Sequence, residues 1–229
     1  MGLFDKVGKK KKEYISNIGV QQLGFMEQLD RPVVVISDGQ NIAIDRAIHM
    51  CITQEALEQT LQKLKQEKHK EFQGIQLLLG VAVDNVIQQQ PYEALIIYGL
   101  APFPFIITKE DLMPIKDLID SFCIMYAAVR NRITNEKAFE LMKTKRIYII
   151  GTMPTAGMKQ EDTFGFETIK RKTEKGEEYE SVKCFLTRES AEKYNGAKRE
   201  ITEVSLMNIK QFFGTVIIEP HRNYWIEFK

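Results

Sequence analysis

The last thirty residues of the chain, 200–229, repeat the pattern of an earlier stretch. Laid beneath residues 80–108 at a constant offset, Val83 falls on Val204, Leu95-Ile96-Ile97 on Val216-Ile217-Ile218, Phe103 on Tyr224 and Phe105 on Ile226. Each stretch has the pattern of a short helix, a turn, an apolar strand, a proline-containing turn and a second strand. A second pair of strings agrees at a different offset: Met50-Cys51-Ile52-Thr53-Gln54-Glu55 and Cys184-Phe185-Leu186-Thr187-Arg188-Glu189. Thr53 and Thr187 each carry the hydroxyl an N-cap needs, and Glu55 and Glu189 place a carboxylate in the positive first turn. A longer first helix, by one insertion, accounts for the change of offset. Internal duplication restricts the chain to two related units of one kind.

The fold expected is α+β: two tandem sheet-and-helix units joined by a helical connector. Residues 1–12 form a basic tail, 13–108 the first unit, 109–144 the connector and 145–229 the second unit. In the first unit, residues 33–36, 41–44, 47–52, 75–79, 94–98 and 105–108 are expected strands. Asp38-Gly39 supplies a hairpin signal. Helices are expected over 54–70 and 82–89, the second stopping before Pro91. Residues 14–29 show a helical apolar stripe at Ile15, Ile18, Phe25, Met26 and Leu29, interrupted by Gly19 and Gly24. The stripe in 109–142 (Leu112, Ile115, Ile119, Phe122, Met125, Tyr126) predicts a helix that also covers the first sheet, followed by a short helix over 135–142. In the second unit, strands are expected over 147–150, 164–171 and 179–186.

The second copy resembles the SseB-like domain, named for the enhanced serine sensitivity protein of bacteria. The carriers are Ile147-Tyr148-Ile149-Ile150, then Cys184-Phe185-Leu186-Thr187-Arg188-Glu189-Ser190-Ala191, Val204-Ser205-Leu206, and Val216-Ile217-Ile218-Glu219-Pro220. The family's Asn-Pro turn is here Glu219-Pro220. The resemblance covers residues 145–229 and reaches the first half only through its likeness to the second. It implies a small α+β domain, often in tandem, bacterial and cytoplasmic, and no established enzymatic activity.

Bulk properties narrow the function further. Lys and Arg number 32 against 31 Asp and Glu, a net charge of +1, so no global field points to nucleic acid. No apolar run is long enough to span a membrane, and no secretory leader is apparent. Three scattered cysteines, Cys51, Cys123 and Cys184, argue for reduced thiols in a cytoplasmic setting. Lys9, Lys10, Lys11 and Lys12 form the one charge run, suited to an anionic membrane or to solvent.

Candidate chemistry is sparse. His49 and Cys51 share one face of an expected strand with Asp45 upstream, the weak outline of a thiol nucleophile. His49, His69 and His221 have no metal-ligand spacing, and no Cys-x-x-Cys pair exists, so no metal and no cofactor is expected. The stretch 151–157 follows a strand, but it lacks the Lys-Ser/Thr of a phosphate loop and is expected to be a solvent loop. Aromatics gather at the C-terminus, where His221, Arg222, Tyr224 and Trp225 occupy one turn and strand, with residue types typical of interface anchors. If Tyr224, Ile226 and Phe228 face the core, strand alternation turns Trp225 outward. The function expected is a cytoplasmic protein-interaction or regulatory module, its partner another protein or a second copy. The rivals are a ligand site or enzyme between the units, and a membrane adaptor using the lysine run.

Overall fold

The computed structural model describes residues 13–24, 27–153 and 165–229. These divide into a first unit, residues 13–24 with 32–114, and a second, residues 27–31 with 115–229. The lysine run at residues 9–12 and most of the loop at 151–157 lie outside the described residues.

The first unit comprises β1 (Pro32–Ser37), β2 (Ala43–Ile44), β3 (Ala47–Cys51), α1 (Gln54–Lys68), β4 (Gln73–Leu78), α2 (Leu79–Gln88), β5 (Ala94–Tyr98), β6 (Phe105–Thr108) and α3 (Lys109–Leu112). The second comprises α4 (Lys116–Val129), α5 (Asn135–Met142), β7 (Arg146–Ile150), β8 (Thr168–Lys172), β9 (Glu178–Phe185), α6 (Arg188–Tyr194), β10 (Ile201–Ser205), α7 (Leu206–Phe213), β11 (Val216–Ile218) and β12 (Ile226–Phe228). One sheet runs β4-β1-β3-β5-β6 with β2 on β3; the other runs β10-β7-β9-β11-β12 with β8 on β9. The fold is therefore α+β, with two similar sheet units. Strand for strand, the two ladders have one topology. In each, the central pair is parallel, β3 with β5 and β9 with β11, and the flanking pairs are antiparallel.

Local chemistry explains the shared elements. The Thr53 hydroxyl accepts from the Ala56 N–H at 3.2 Å, and the Thr187 hydroxyl accepts from the Ser190 N–H at 3.0 Å. Each satisfies an orphan donor of its helix start. Between β1 and β2, the Asp38 carboxylate accepts from the Gln40 and Asn41 N–H groups, while Gly39 takes the positive φ the turn requires. Apolar β-rich runs fill the central strands: every residue of β3 and of β11 is buried.

Structural equivalence confirms one half of the sequence alignment and corrects the other. Leu95-Ile96-Ile97 and Val216-Ile217-Ile218 hold the same ladder positions, as do Phe105 and Ile226. Val83 and Val204 do not correspond: Val83 lies inside α2 and Val204 on β10. The counterpart of α2 is α7. The connection from α2 to β5 is longer than that from α7 to β11, so one offset cannot carry both helix and strand.

Two further expectations change. Residues 14–29 do not form one helix. Within it, among the described residues, only Val20–Leu23 form a short 3-10 turn, and residues 13–18 have no regular secondary structure. The Ser16 and Asn17 side chains bind the edge of β6, an alternative to helix that both residue types favour. The helical stretch 109–144 is also not a free-standing connector. Residues 109–114 group with the first unit and 115–144 with the second. Phe122 on α4 meets the Tyr224 ring edge-on at 4.8 Å, and Phe139 on α5 meets Phe228 at 5.4 Å. Both helices thus pack on the inner face of the second sheet.

Gly151 follows β7 at φ 140° and bridges to Phe166. A Cβ there would lie 2.6 Å from the Phe166 Cα and would strike the Gly165 carbonyl oxygen. Gly151 is therefore required by close backbone approach. Gly151→Ala is expected to lower folding stability by about 2 kcal/mol. Denaturant unfolding followed by the fluorescence of Trp225, the one tryptophan, checks this directly.

Candidate functional site

Strand β12 is the last strand of the second sheet and ladders only with β11 among the described residues. Its alternation sends Ile226 and Phe228 into the core and Glu227 to the opposite face. Trp225, just before the strand, shares the Glu227 side and is 39% exposed. Sequence alternation placed these residues correctly.

Around Trp225 the sheet face is polar. The Arg171 guanidinium, from β8, lies 4.8 Å from the Trp225 ring centre, a cation–π contact. The Glu227 carboxylate accepts from the Tyr179 hydroxyl at 2.8 Å and from the Ser181 hydroxyl at 2.6 Å. Arg171 Nε and Lys229 Nζ approach the same carboxylate at 3.7 and 3.9 Å. Ser181 is fully buried, so this network fixes Glu227 rather than leaving it to solvent. Along this edge a largely apolar groove of about 910 Å³ is lined by Val129, Phe139, Ile226, Phe228 and Trp225, with the charged Glu136, Glu140, Lys210, Glu227 and Lys229 among its walls. Val129 and Trp225 leave much of their apolar surface in water. Apolar groove, aromatic anchor and edge strand coincide at one place, the combination that peptide-binding surfaces use.

The four residues singled out from sequence separate in the structure. Trp225 lines the groove. Tyr224 is buried against Phe122 and presents no surface, because it lies on the core side of the alternation. Arg222 is largely covered: its guanidinium donates to the Glu27 carbonyl at 3.1 Å and lies 4.0 Å from the Glu219 carboxylate. His221 stacks on Tyr194 with ring centres 3.8 Å apart, and desolvation with the nearby Lys183 charge lowers its pKa. Only Trp225 of the four belongs to the groove. Arg171, Tyr179, Ser181, Val129 and Phe139 carry no motif; tertiary folding alone gathers them.

Each residue of the weak thiol constellation in the first unit has other contacts. His49 is buried with Nδ1 2.9 Å from the Tyr98 hydroxyl. Cys51 sits in an apolar cluster with Ile36, Ile44 and Leu64. Asp45 lies on the β2–β3 turn at φ 51°, its carboxylate bound by Lys68 at 2.6 Å. Burial pushes the Cys51 thiol up to about 11, so it stays protonated at neutral pH. A nucleophile requires the reverse. A second concavity, about 400 Å³, opens at the ends of β3 and β5 between Thr53, Tyr98 and the 99–104 loop.

The counterpart of Tyr98 in the second unit is Glu219, and it is 2% exposed. Its carboxylate accepts from the Leu186 N–H at 2.8 Å and the Ser190 hydroxyl at 3.0 Å. Burial outweighs these bonds and raises its pKa.

Among the described residues no group of three or more His, Cys, Asp or Glu forms a metal-binding cluster. No described helix is long and apolar enough to cross a membrane. Comparison with protein-family models, curated proteins and solved structures finds no match to the chain.

Proposed function

We propose that the protein is a protein-interaction module of the SseB-like type, acting in the cytoplasm, with its docking surface at the β12 edge of the second unit. The observation that carries this reading is the half-exposed Trp225 beside an apolar groove on an edge strand. The second-copy motifs around Cys184–Ala191 and Val216–Pro220 support the family, and the free thiols Cys51, Cys123 and Cys184 suit a reducing compartment. The candidate nucleophile Cys51, held protonated in an apolar cluster, directs the reading away from thiol catalysis.

The test is affinity capture from native lysate with the full chain and with Trp225→Ala. A stoichiometric protein partner retained by the former and reduced at least about tenfold by the latter is expected, the loss typical of an aromatic anchor. Equal capture by both proteins, with Trp225→Ala still folded by circular dichroism, would refute the assignment of this surface.

A further inference from the structure

The duplication provides an internal comparison that the groove alone does not. In the first unit the equivalent edge strand, β6, is already occupied. Ser16 and Asn17 bind along it. The Asn17 N–H donates to the Ile106 carbonyl at 3.0 Å, and the Asn17 Oδ1 accepts from the Ile106 N–H at 2.7 Å. The Ser16 hydroxyl accepts from the Thr108 N–H at 2.8 Å, and the Asn17 side-chain amide donates to the Pro104 carbonyl at 3.0 Å. The outward-facing main-chain groups of β6 are therefore those of Ile106 and Thr108.

Ladder register transfers this directly to the second unit. Ile106 pairs with Ile96 on β5; the matching pair on β11 and β12 is Ile217 with Glu227. Alternation then makes the Glu227 N–H and carbonyl, and the Lys229 N–H, the outward-facing groups of β12. Among the described residues no segment lies on them as Ser16 and Asn17 lie on β6.

We infer that the outer edge of β12 binds an extended segment of a partner protein by strand addition, at the main-chain positions equivalent to those that Ser16 and Asn17 cover on β6. The inference rests on the docking reading above and specifies its mode. The two sides of β12 define the occupant. The groove spans this edge: Val129, Phe139, Ile226 and Phe228 line it from the core face, and Trp225, Glu227 and Lys229 line it from the face that Arg171 shares. A strand seated there sends successive side chains to opposite sides. The occupant is therefore an amphipathic extended segment, with apolar residues toward Phe139 alternating with polar ones beside Trp225 and Arg171. A second copy is a poorer occupant. Antiparallel pairing of two β12 strands centred on Glu227 sets one carboxylate opposite another, which is destabilising.

The full chain, immobilised, is panned with a phage-displayed library of random twelve-residue peptides. Enriched peptides are resynthesised and titrated by Trp225 fluorescence. Two derivatives of each are then made, N-methylated at alternate positions of opposite parity. Strand addition predicts that one parity weakens binding about tenfold or more while the other leaves it unchanged, since only every second amide faces the edge. Side-chain docking alone has no such parity. Equal affinity of the two derivatives, with binding still lost in Trp225→Ala, overturns strand addition and keeps the docking surface. Binding indifferent to Trp225→Ala, or a library that enriches nothing, overturns both. A homodimer that the enriched peptides cannot displace would assign the edge to a second copy and overturn the inference.

Discussion

Glu219→Ala is expected to lower the folding free energy by about 3 kcal/mol, while Glu219→Gln stays within about 1 kcal/mol of the natural chain. Alanine leaves the Leu186 N–H and the Ser190 hydroxyl without their acceptor in a dry site, and leaves Arg222 beside no carboxylate. Glutamine keeps an oxygen for the Leu186 N–H and turns its amide toward the Ser190 oxygen. The pair of variants also separates charge from shape through pH. The folded carboxyl has a pKa raised above its ordinary 4.5, so the folded state holds the proton more tightly than the unfolded state. Its contribution to stability is fully present below pH 4.5. It declines as pH rises through the raised folded value. Glu219→Gln is expected to flatten that decline. Urea midpoints measured from pH 4 upward for the three proteins check both statements. A Glu219→Ala protein as stable as the natural one would show that the carboxylate holds nothing together.

Phe122→Ala is expected to cost about 4 kcal/mol, the upper range for deleting a fully buried aromatic side chain. Phe122 has no exposed surface and packs edge-on to Tyr224 and parallel to Tyr126. The ring joins α4 to the segment that carries Trp225. Tryptophan fluorescence therefore reads the loss where it occurs. Its unfolding midpoint should fall with Phe122→Ala, and more than with Val129→Ala, whose side chain is exposed on the same helix. An unchanged midpoint would mean that α4 contributes nothing to the second unit.

How much of this was legible depended on whether the signal was local. Thr53 and Thr187 announced their helices because a cap is a short-range bond. Strands β5 and β6 and helix α5 were bounded correctly, since apolar runs and turn residues frame them. The 14–29 stretch misled. Its apolar spacing suits a helix, yet Ser16 and Asn17 satisfy the edge of β6, a partner about ninety residues distant in sequence. No periodicity records such a bond. Repeat alignment erred at Val83 for a similar reason: constant offset fits only where neither copy has gained residues. At the site, alternation was enough to turn Trp225 outward and Tyr224 inward. Arg171 and Tyr179 arrive from a hairpin whose reach only the folded sheet defines. Glu219 was findable, since the correct half of the alignment sets it against Tyr98, an exchange of phenol for carboxylate at a buried position.

The seating of Ser16 and Asn17 on β6 has a consequence for assembly. A molecule with two like, open sheet edges facing successive neighbours can add copies head to tail without limit and grow into a fibre. Here the first unit spends its edge on its own chain. A β12 strand from one molecule finds no vacant β6 on the next, so growth along that route ends before it begins. Ser16 and Asn17 thus close this one route to head-to-tail growth, at the edge of β6.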